Sequence, residues 1–200
     1  TVTVGEGLEA VERAGVDVTG SFFTLLGVRP ALRRFFTEEE DRVGGPQQVV
    51  LSWQAWQRDF AGAPDVLGRT IDFGYGAWEV IGVAPPNFTG VDLAAVDLWL
   101  PFHVVVPLTM GTEWLEHRGW QFFETVARLD PDVAVAAAEA EATSLYTAGR
   151  ADREFANDEG NPTVLLSSVL SARGPEAPAE SIVARLLLIV SAIVLIIASL

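Results

Sequence analysis

The sequence predicts a mixed α+β fold, and two stretches carry this prediction. The first, Val49–Gly90, has the order strand, short helix, strand, turn, strand. The second, residues 120–169, places an alanine-rich helical segment between two segments of β-type sequence. Alternation of apolar and polar residues is typical of strands, whereas an apolar period of 3.6 is typical of helices. With 50% hydrophobic residues in 200, the chain can bury the cores of one or two domains.

The first 48 residues predict short elements joined by turns. Residues 1–18 alternate around Gly5-Glu6-Gly7 and indicate two strands in a hairpin-like arrangement. We expect Ser21 to cap a short helix, Phe22–Leu26, that ends at Gly27. The segment from Pro30 to Phe36 leads into the acidic run Glu38–Asp41, which we interpret as a solvated turn. A calcium loop needs alternating carboxylates, and four consecutive acids do not supply them.

The stretch Val49–Gly90 predicts the most compact part of the fold. Val49–Leu51 is an apolar strand, after which Ser52 can cap a helix that Gly62 and Pro64 terminate. Two strand-like runs, Gly68–Phe73 and Ala77–Ala84, flank a glycine-rich turn. Five aromatic side chains are expected to form core rather than a ligand groove: Trp53, Trp56, Phe60, Trp78 and Trp99.

The second half of the chain predicts further strands and one long helix. Val91–Val106 has short β-type segments that include Leu98–Leu100, and Met110–Gly119 is polar and irregular. Trp120–Leu129 alternates and predicts a half-buried strand. Asp130-Pro131 is expected to cap a helix that runs to Ala148, with Gly149 just past its end. Asn161-Pro162 then introduces a strand at Thr163–Val169.

The C-terminal 30 residues differ in composition from the rest of the chain. Ser171–Ala179 is a linker of small residues, proline and glycine. Leu186–Leu200 then carries no charge, and we interpret it as the start of a transmembrane helix with Arg185 at the membrane interface. A buried core helix is the alternative. The start of the chain has neither the basic nor the apolar region of a signal peptide.

Composition excludes several classes of protein. The net charge of −14 argues against a nucleic-acid binder, which needs a basic surface. No cysteine is present, so disulfides, thiolate nucleophiles and Cys-ligated metals are excluded. All 13 basic residues are arginine, so the chain lacks the lysine of a phosphate-binding Walker A loop.

Residue types that could carry chemistry do not form a recognisable site. Glu113 and His117 have i, i+4 spacing, but two ligands do not complete a zinc site, and a solvated polar face is the favoured interpretation. His103 and the serines lack the sequence context of a catalytic triad. Asn87-Phe88-Thr89 matches a glycosylation sequon, although a turn after Pro85-Pro86 is the preferred interpretation. We therefore predict no catalytic residue, cofactor or metal ligand.

Four sequence motifs in a fixed order resemble a known family. They are Val18–Leu32 with its Thr-Gly-Ser-Phe-Phe and Gly-Val-Arg-Pro-Ala-Leu runs, LSxxxWxxxF from Leu51, GRT followed by VIGVAPPxFxG to Gly90, and Asp97–Pro101. Together they resemble the extracytoplasmic core domain of MacB/FtsX-like ABC transporter permeases, most of all the duplicated stand-alone permeases. Arg33 departs from the family run PALGRxF, which usually has glycine at that position.

The resemblance implies a domain layout and a function. A porter-like α/β subdomain would be formed by residues 1–30 and 119–170, with a β-rich subdomain, residues 31–118, inserted between them. A linker (171–180) and the transmembrane helix (181–200) would follow. The implied function is transmission of ATPase-driven motion across the cell membrane for export or mechanotransmission, without catalysis. The implied partners are a cytoplasmic ABC ATPase, a second permease copy, and a periplasmic adaptor or substrate. The alternative is a membrane-anchored extracytoplasmic ligand-binding or sensor domain.

Overall fold

The computed structural model describes residues 2–4, 11–91, 94–115, 122–151 and 163–168. Short strands and helices occur along the first 110 residues, and one long helix follows. The strands are β1 (Val2–Val4), β2 (Val11–Arg13), β3 (Gly15–Val18), β4 (Leu32–Arg33), β5 (Gln48–Leu51), β6 (Thr70–Asp72), β7 (Ala77–Val83) and β8 (Leu98–Pro101). The helices are α1 (Phe22–Leu25), α2 (Trp53–Phe60), α3 (Phe102–Met110) and α4 (Val135–Ala151), with short 3₁₀ turns at Pro64–Val66 and Glu113–Leu115. The predicted mixed α+β class is confirmed.

The chain divides into two compact units, residues 1–122 and residues 123–200. A mixed six-stranded sheet organises the first unit, with the order β3-β8-β5-β7-β4, and β6 also pairs with β7. Strand β5 is parallel to β7 and antiparallel to β8, while β3 is parallel to β8. Strands β1 and β2 form a separate antiparallel pair, as the alternation predicted. The division into five sequence segments that the resemblance implied stays a prediction.

The local rules that predicted α2 are confirmed in detail. The Ser52 hydroxyl accepts a hydrogen bond from the backbone N–H of Ala55 at 3.1 Å, and Ser52 has the extended backbone of a helix cap. Helix α2 ends at Phe60, just before the predicted terminator Gly62, and its C-cap residue Ala61 adopts the left-handed conformation with φ 51°. The predicted hairpin of β6 and β7 is also present, in antiparallel register.

Arg33 adopts a backbone conformation that favours glycine. Its φ is 55°, in the left-handed region, and it pairs with Gly82 of β7. A left-handed backbone costs a residue with a Cβ atom about 1–2 kcal/mol. The turn therefore has the conformation expected of a glycine, although the chain has arginine there.

Two hydrophobic clusters form the core of the first unit. One includes Trp56, Val66, Trp78 and Leu100, with Val2 and Val4 of β1 packed against it. The other is aromatic and includes Phe23, Phe36 and Trp99. Trp78 and Trp99 are fully buried. Within the described residues, the core thus lies around the sheet, and α2 covers part of it through Trp56.

Helix α3 contradicts the prediction of β-type segments up to Val106. Val104, Val105 and Val106 are buried within the helix. A valine in a helix costs less than about 1 kcal/mol relative to alanine. Burying a valine side chain contributes about 1.5–3 kcal/mol. Tertiary burial therefore decides the conformation of this segment.

The predicted cap of α1 is also wrong. Helix α1 exists, but Ser21 has a helical backbone and makes no side-chain hydrogen bond to the helix. Its hydroxyl lies 3.3 Å from that of Thr19. A residue already in helical conformation cannot place its oxygen over the free N–H groups of the first turn.

In the second unit, α4 differs from the predicted helix at both ends. It begins at Val135 and continues through Gly149. Asp130 does not cap it; instead its carboxylate accepts the N–H of Asp132 at 3.0 Å in a turn before the helix. A short acidic side chain competes for nearby backbone N–H groups in this way.

The two strands predicted beside α4 are not strands in their described parts, residues 122–129 and 163–168. The N–H of Val164 donates to the hydroxyl of Thr143, and the N–H of Leu166 donates to a carboxylate oxygen of Glu139, both at 2.9 Å. Alternate backbone donors of this segment are therefore satisfied by helix side chains rather than by a neighbouring strand. In a strand, these donors would instead pair with carbonyl groups of a neighbouring strand.

Candidate functional site

The structure places Asp41 at a junction of three segments. Its carboxylate accepts the backbone N–H of Gly20 at 2.9 Å, the backbone N–H of His103 at 2.7 Å, and Nδ1–H of His103 at 3.0 Å. The Asp41 side chain is only 2% exposed. A buried carboxylate is tolerated where hydrogen bonds replace its hydration. Asp41 therefore joins the loop before α1 to the first turn of α3.

The surroundings of Asp41 are tightly constrained. A Cβ atom at Gly20 would lie 2.5 Å from backbone atoms of Glu38, so only glycine fits there. The His103 ring packs edge-on against Phe102, with centroids 5.2 Å apart, and contacts Trp114 at 5.9 Å. Because the carboxylate can only accept, Nδ1 of His103 carries the hydrogen.

Thr37 and Glu40 form a reciprocal pair in the acidic run. The N–H of Thr37 donates to the Glu40 carboxylate at 3.0 Å, and the N–H of Glu40 donates to the Thr37 hydroxyl at 3.4 Å. Arg34 makes a two-pronged contact with Glu40 at 2.7 and 2.9 Å. This hydrogen bond from Arg34 is the main reason that the pKa of Glu40 lies below its ordinary value.

The prediction of a solvated turn at Glu38–Asp41 is therefore wrong for its second half. Glu38 and Glu39 are exposed, as predicted, whereas Asp41 is buried and Glu40 is half-buried. The spacing Thr37-x-x-Glu40 is a capping-box pattern and could have revealed the contact between Thr37 and Glu40. The partners of Asp41, Gly20 and His103, lie 21 and 62 residues away, and no local pattern reveals such contacts.

Asp97 forms a second junction, at the start of β8. One of its carboxylate oxygens accepts the backbone N–H of Ala14 at 3.0 Å, and the other accepts a guanidinium hydrogen of Arg58 at 3.0 Å. Arg58 also binds Asp59 of its own helix, and Asp59 binds Arg13. The hydrogen bond from Arg58 is the largest cause that lowers the pKa of Asp59. This network ties α2 to strands β2 and β8.

The aromatic residues form core, as predicted. Trp56, Trp78 and Trp99 are buried, and Trp53 and Phe60 pack against the first cluster. Trp53 and Trp56 contact each other edge-to-face with centroids 4.9 Å apart. The indole N–H of Trp56 donates to the carbonyl of Ala63 at 2.9 Å. These rings stabilise the fold around α2 and the sheet.

The other residues weighed from sequence lie apart from these junctions. Glu113 is in the second 3₁₀ turn and exposed, and His117 lies outside the described residues. Across the ranges that the structure describes, no group of three or more His, Asp or Glu could hold a metal ion. Asn87 is exposed in a turn with φ 63°, which agrees with the turn interpretation. The absence of catalytic residues and cofactors stays a prediction.

The contacts of Asp41 and Asp97 hold segments of the first unit together. Each carboxylate bonds to at least one backbone N–H and to one imidazole or guanidinium group. Such an arrangement fixes the relative positions of helices and strands. The two junctions therefore connect helices and strands of the mixed-sheet unit.

Solved structures of other proteins have a fold similar to that of this chain. The periplasmic region of MacB from Actinobacillus actinomycetemcomitans is similar, with a TM-score of 0.51 and 20% identity over 74% of this chain. The chain spans 62% of the length of that MacB region, less than two thirds. The extracellular domain of the noncanonic ABC-type transporter YknZ from Gram-positive bacteria matches over 56% of this chain and 54% of its own, with 18% identity and a TM-score of 0.43. A comparison with curated proteins gave no match.

The fold is thus similar to that of the periplasmic region of MacB. The sequence model of the MacB-like periplasmic core domain matches residues 1–145. The chain belongs to this family, as its motifs predicted.

Among the described residues, no helix is both long and apolar enough to cross a membrane. The predicted start of a transmembrane helix at 181–200 lies outside those residues.

Proposed function

We propose that this domain transmits motion driven by a cytoplasmic ABC ATPase to the extracytoplasmic side of the membrane, and that it catalyses no reaction itself. The match of the MacB-like periplasmic core domain to residues 1–145 carries this proposal. The transmitted motion would serve export or mechanotransmission. Nucleotide binding inside the cell would bias a two-state arrangement of the permease at a distance.

The internal contacts of the first unit support a mechanical role. A domain that transmits motion needs to move as a body rather than deform internally. The carboxylates of Asp41 and Asp97 link segments that are distant in sequence, and two hydrophobic clusters fill the core. These features favour a stiff unit.

The proposed partners follow from family membership. They are a cytoplasmic ABC ATPase, a second copy of the permease, and a periplasmic adaptor or substrate. Membrane anchoring is proposed from the uncharged sequence Leu186–Leu200. Residues 1–180 would then lie outside the cytoplasmic membrane.

A distance measurement in the complete permease tests this proposal. Because the chain has no cysteine, a single cysteine at the exposed position Glu38 can carry one spin label. In bilayers that contain the permease and its ATPase, we expect the distance between labels on two copies to change when ATP replaces ADP. An ATPase variant that binds but cannot hydrolyse ATP should hold the ATP-bound distance.

Two results would contradict the proposal. One is an identical distance distribution with ADP and ATP in a permease that has bound its ATPase. The other is failure of the same cysteine to react with a membrane-impermeant thiol reagent in intact cells, since that would place the domain in the cytoplasm. A thermal shift with a metabolite and no response to ATP would favour the sensor interpretation.

A further inference from the structure

The ribbon formed by β1 and β2 packs on the six-stranded sheet without pairing with it. Among the described residues, its two strands pair with each other in a sheet of their own. Across the same ranges, no backbone hydrogen bond joins either strand to the larger sheet. The ribbon is therefore attached through side chains. Elements held by few contacts open at a lower free energy than the paired strands of a core.

Apolar contacts attach β1 to the sheet. Val2 and Val4 are half-buried and pack against the first hydrophobic cluster. A Cβ atom at Gly15, the first residue of β3, would lie 3.0 Å from a methyl carbon of Val2. The absence of a side chain at Gly15 therefore lets the ribbon approach the sheet closely.

An ionic network attaches β2. The guanidinium group of Arg13, the last residue of β2, donates two hydrogen bonds to the Asp59 carboxylate of α2, at 3.0 and 3.1 Å. Arg58 donates two more to the same carboxylate, at 2.7 and 2.9 Å. Two guanidinium groups therefore share one carboxylate, and the planar shape of arginine favours such paired hydrogen bonds.

Ala14 connects the ribbon to the sheet and is itself anchored. Its N–H donates to the Asp97 carboxylate at 3.0 Å, and its carbonyl accepts the N–H of Asp97 at 2.8 Å. It is the one residue between the end of β2 and the start of β3. A hinge is formed by a few residues at the ends of elements. Because Ala14 is held by Asp97, the ribbon can tilt about this point only if Arg13 leaves Asp59.

The pair of Arg13 and Asp59 is better shielded from water than a typical surface ion pair. Their side chains are 22% and 26% exposed, whereas those of Arg69 and Asp65 are 55% and 65% exposed. Opposite charges attract each other more strongly where water is partly excluded. The first pair can therefore hold the ribbon, and the second provides a matched control.

We propose that the ribbon of β1 and β2 is a movable element, and that the pair of Arg13 and Asp59 is a clasp that holds it on the sheet. When the clasp opens, the ribbon tilts about Ala14 and uncovers the apolar surface beneath Val2 and Val4. In the parent protein the clasp keeps this open state rare. The inference concerns motion within the first unit and does not depend on transport.

Thiol labelling of the full chain in detergent tests the proposal. The chain has no cysteine, so V4C places a single thiol beneath the ribbon. Its labelling rate reports the population of the open state when closing is faster than labelling. T3C, at an exposed position of the same strand, gives the rate for an uncovered thiol. We expect V4C to react much more slowly than T3C in the parent background.

Two variants open the clasp. R13M should raise the labelling rate of V4C about three- to tenfold, the effect of losing one partly shielded ion pair. D59N should raise it at least as much, because Arg13 and Arg58 would then face each other without a carboxylate between them. The control D65N removes the exposed pair with Arg69 and should leave the rate within about twofold of the parent.

Tryptophan fluorescence separates opening of the ribbon from unfolding. Trp78 and Trp99 are fully buried in the first unit, so their emission should stay native in R13M and D59N. A second measurement leaves the core untouched: spin labels at the exposed positions Val11 and Ala77 should show a broader distance distribution in R13M than in D65N.

Four results would overturn the proposal. The first is a labelling rate of V4C that neither R13M nor D59N changes, and the second is an equal increase in D65N. The third is labelling of V4C as fast as that of T3C in the parent, since the ribbon would then not be held on the sheet. The fourth is faster labelling accompanied by a change in tryptophan emission, since the whole unit would then unfold.

Discussion

A Cβ atom at Gly82 would clash with the backbone carbonyl oxygen of Arg34. The contact is with backbone, so no side-chain rotation can relieve it. It lies next to the pairing of Arg33 with Gly82, where the left-handed turn brings β4 onto β7. Glycine at position 82 and the conformation of Arg33 are therefore two parts of one edge geometry.

Replacement of Gly82 with alanine tests that geometry. We expect G82A to lower the free energy of unfolding by about 3 kcal/mol, because the new methyl group forces the two strands apart. The comparison is G27A, where φ is 69° and nothing lies within 4 Å of the added Cβ. That variant should lose only about 1 kcal/mol through backbone strain. If G27A is the more damaging change, β4 does not approach β7 this closely.

Chemical unfolding followed by tryptophan fluorescence is suited to these measurements. All six tryptophans lie between residues 53 and 120, within the first unit. The signal therefore reports unfolding of the unit that contains the sheet.

The junction at Asp41 provides the second prediction. D41N should lower the free energy of unfolding by about 2 kcal/mol, because an amide nitrogen would face the N–H donors of Gly20 or His103. H103A should cost about 1 kcal/mol, since two backbone donors still reach Asp41. The double variant should lose less than the sum of the two. The control E39Q changes an exposed neighbour, and equal stability of D41N and E39Q would refute the junction.

The junction at Asp97 provides the third prediction. D97N should cost about 1–2 kcal/mol, because Asp97 accepts hydrogen bonds from both Ala14 and Arg58. D65N removes a carboxylate that pairs with Arg69 on the surface and should change stability by less than about 0.5 kcal/mol. Similar losses in the two variants would mean that Asp97 acts only as a surface charge.

Glu40 provides a prediction about pH. Its pKa is lowered in the folded state, mainly by the hydrogen bond from Arg34, so the folded protein holds the ionised form more strongly than the unfolded chain does. The resulting stability is present above the ordinary pKa of 4.5 and is lost as the pH falls below it. E40Q should therefore be less stable than the parent near neutral pH, by up to about 1 kcal/mol, and the difference should shrink in acid. The control E38Q should show no such trend, and a difference for E40Q that is independent of pH would rule out the linkage.

Local sequence rules predicted the elements that local interactions determine. Ser52 caps α2 as expected because its donor, Ala55, is three residues away. The rules failed at α3, where burial of Val104–Val106 overrides a β-type sequence, and at Asp130, which forms a turn before the helix. The Asp41 junction lay beyond reach because its partners, Gly20 and His103, are distant in the chain. The motifs that identified the family were informative because they occur in a fixed order.

The pairing of β3 with β8 has a consequence for how the protein is made. Within the described ranges, Gly15–Val18 pair with Leu98–Pro101, in parallel register. Such long-range pairing slows folding, because a large loop must close before the contact forms. During synthesis, at about 5–20 residues per second, β3 has no partner for several seconds after it emerges. Of the strands that the structure describes, β8 is the last to be synthesised. A chain that stops short of residue 98 therefore leaves β3 and the central strand β5 each without the neighbour that β8 provides.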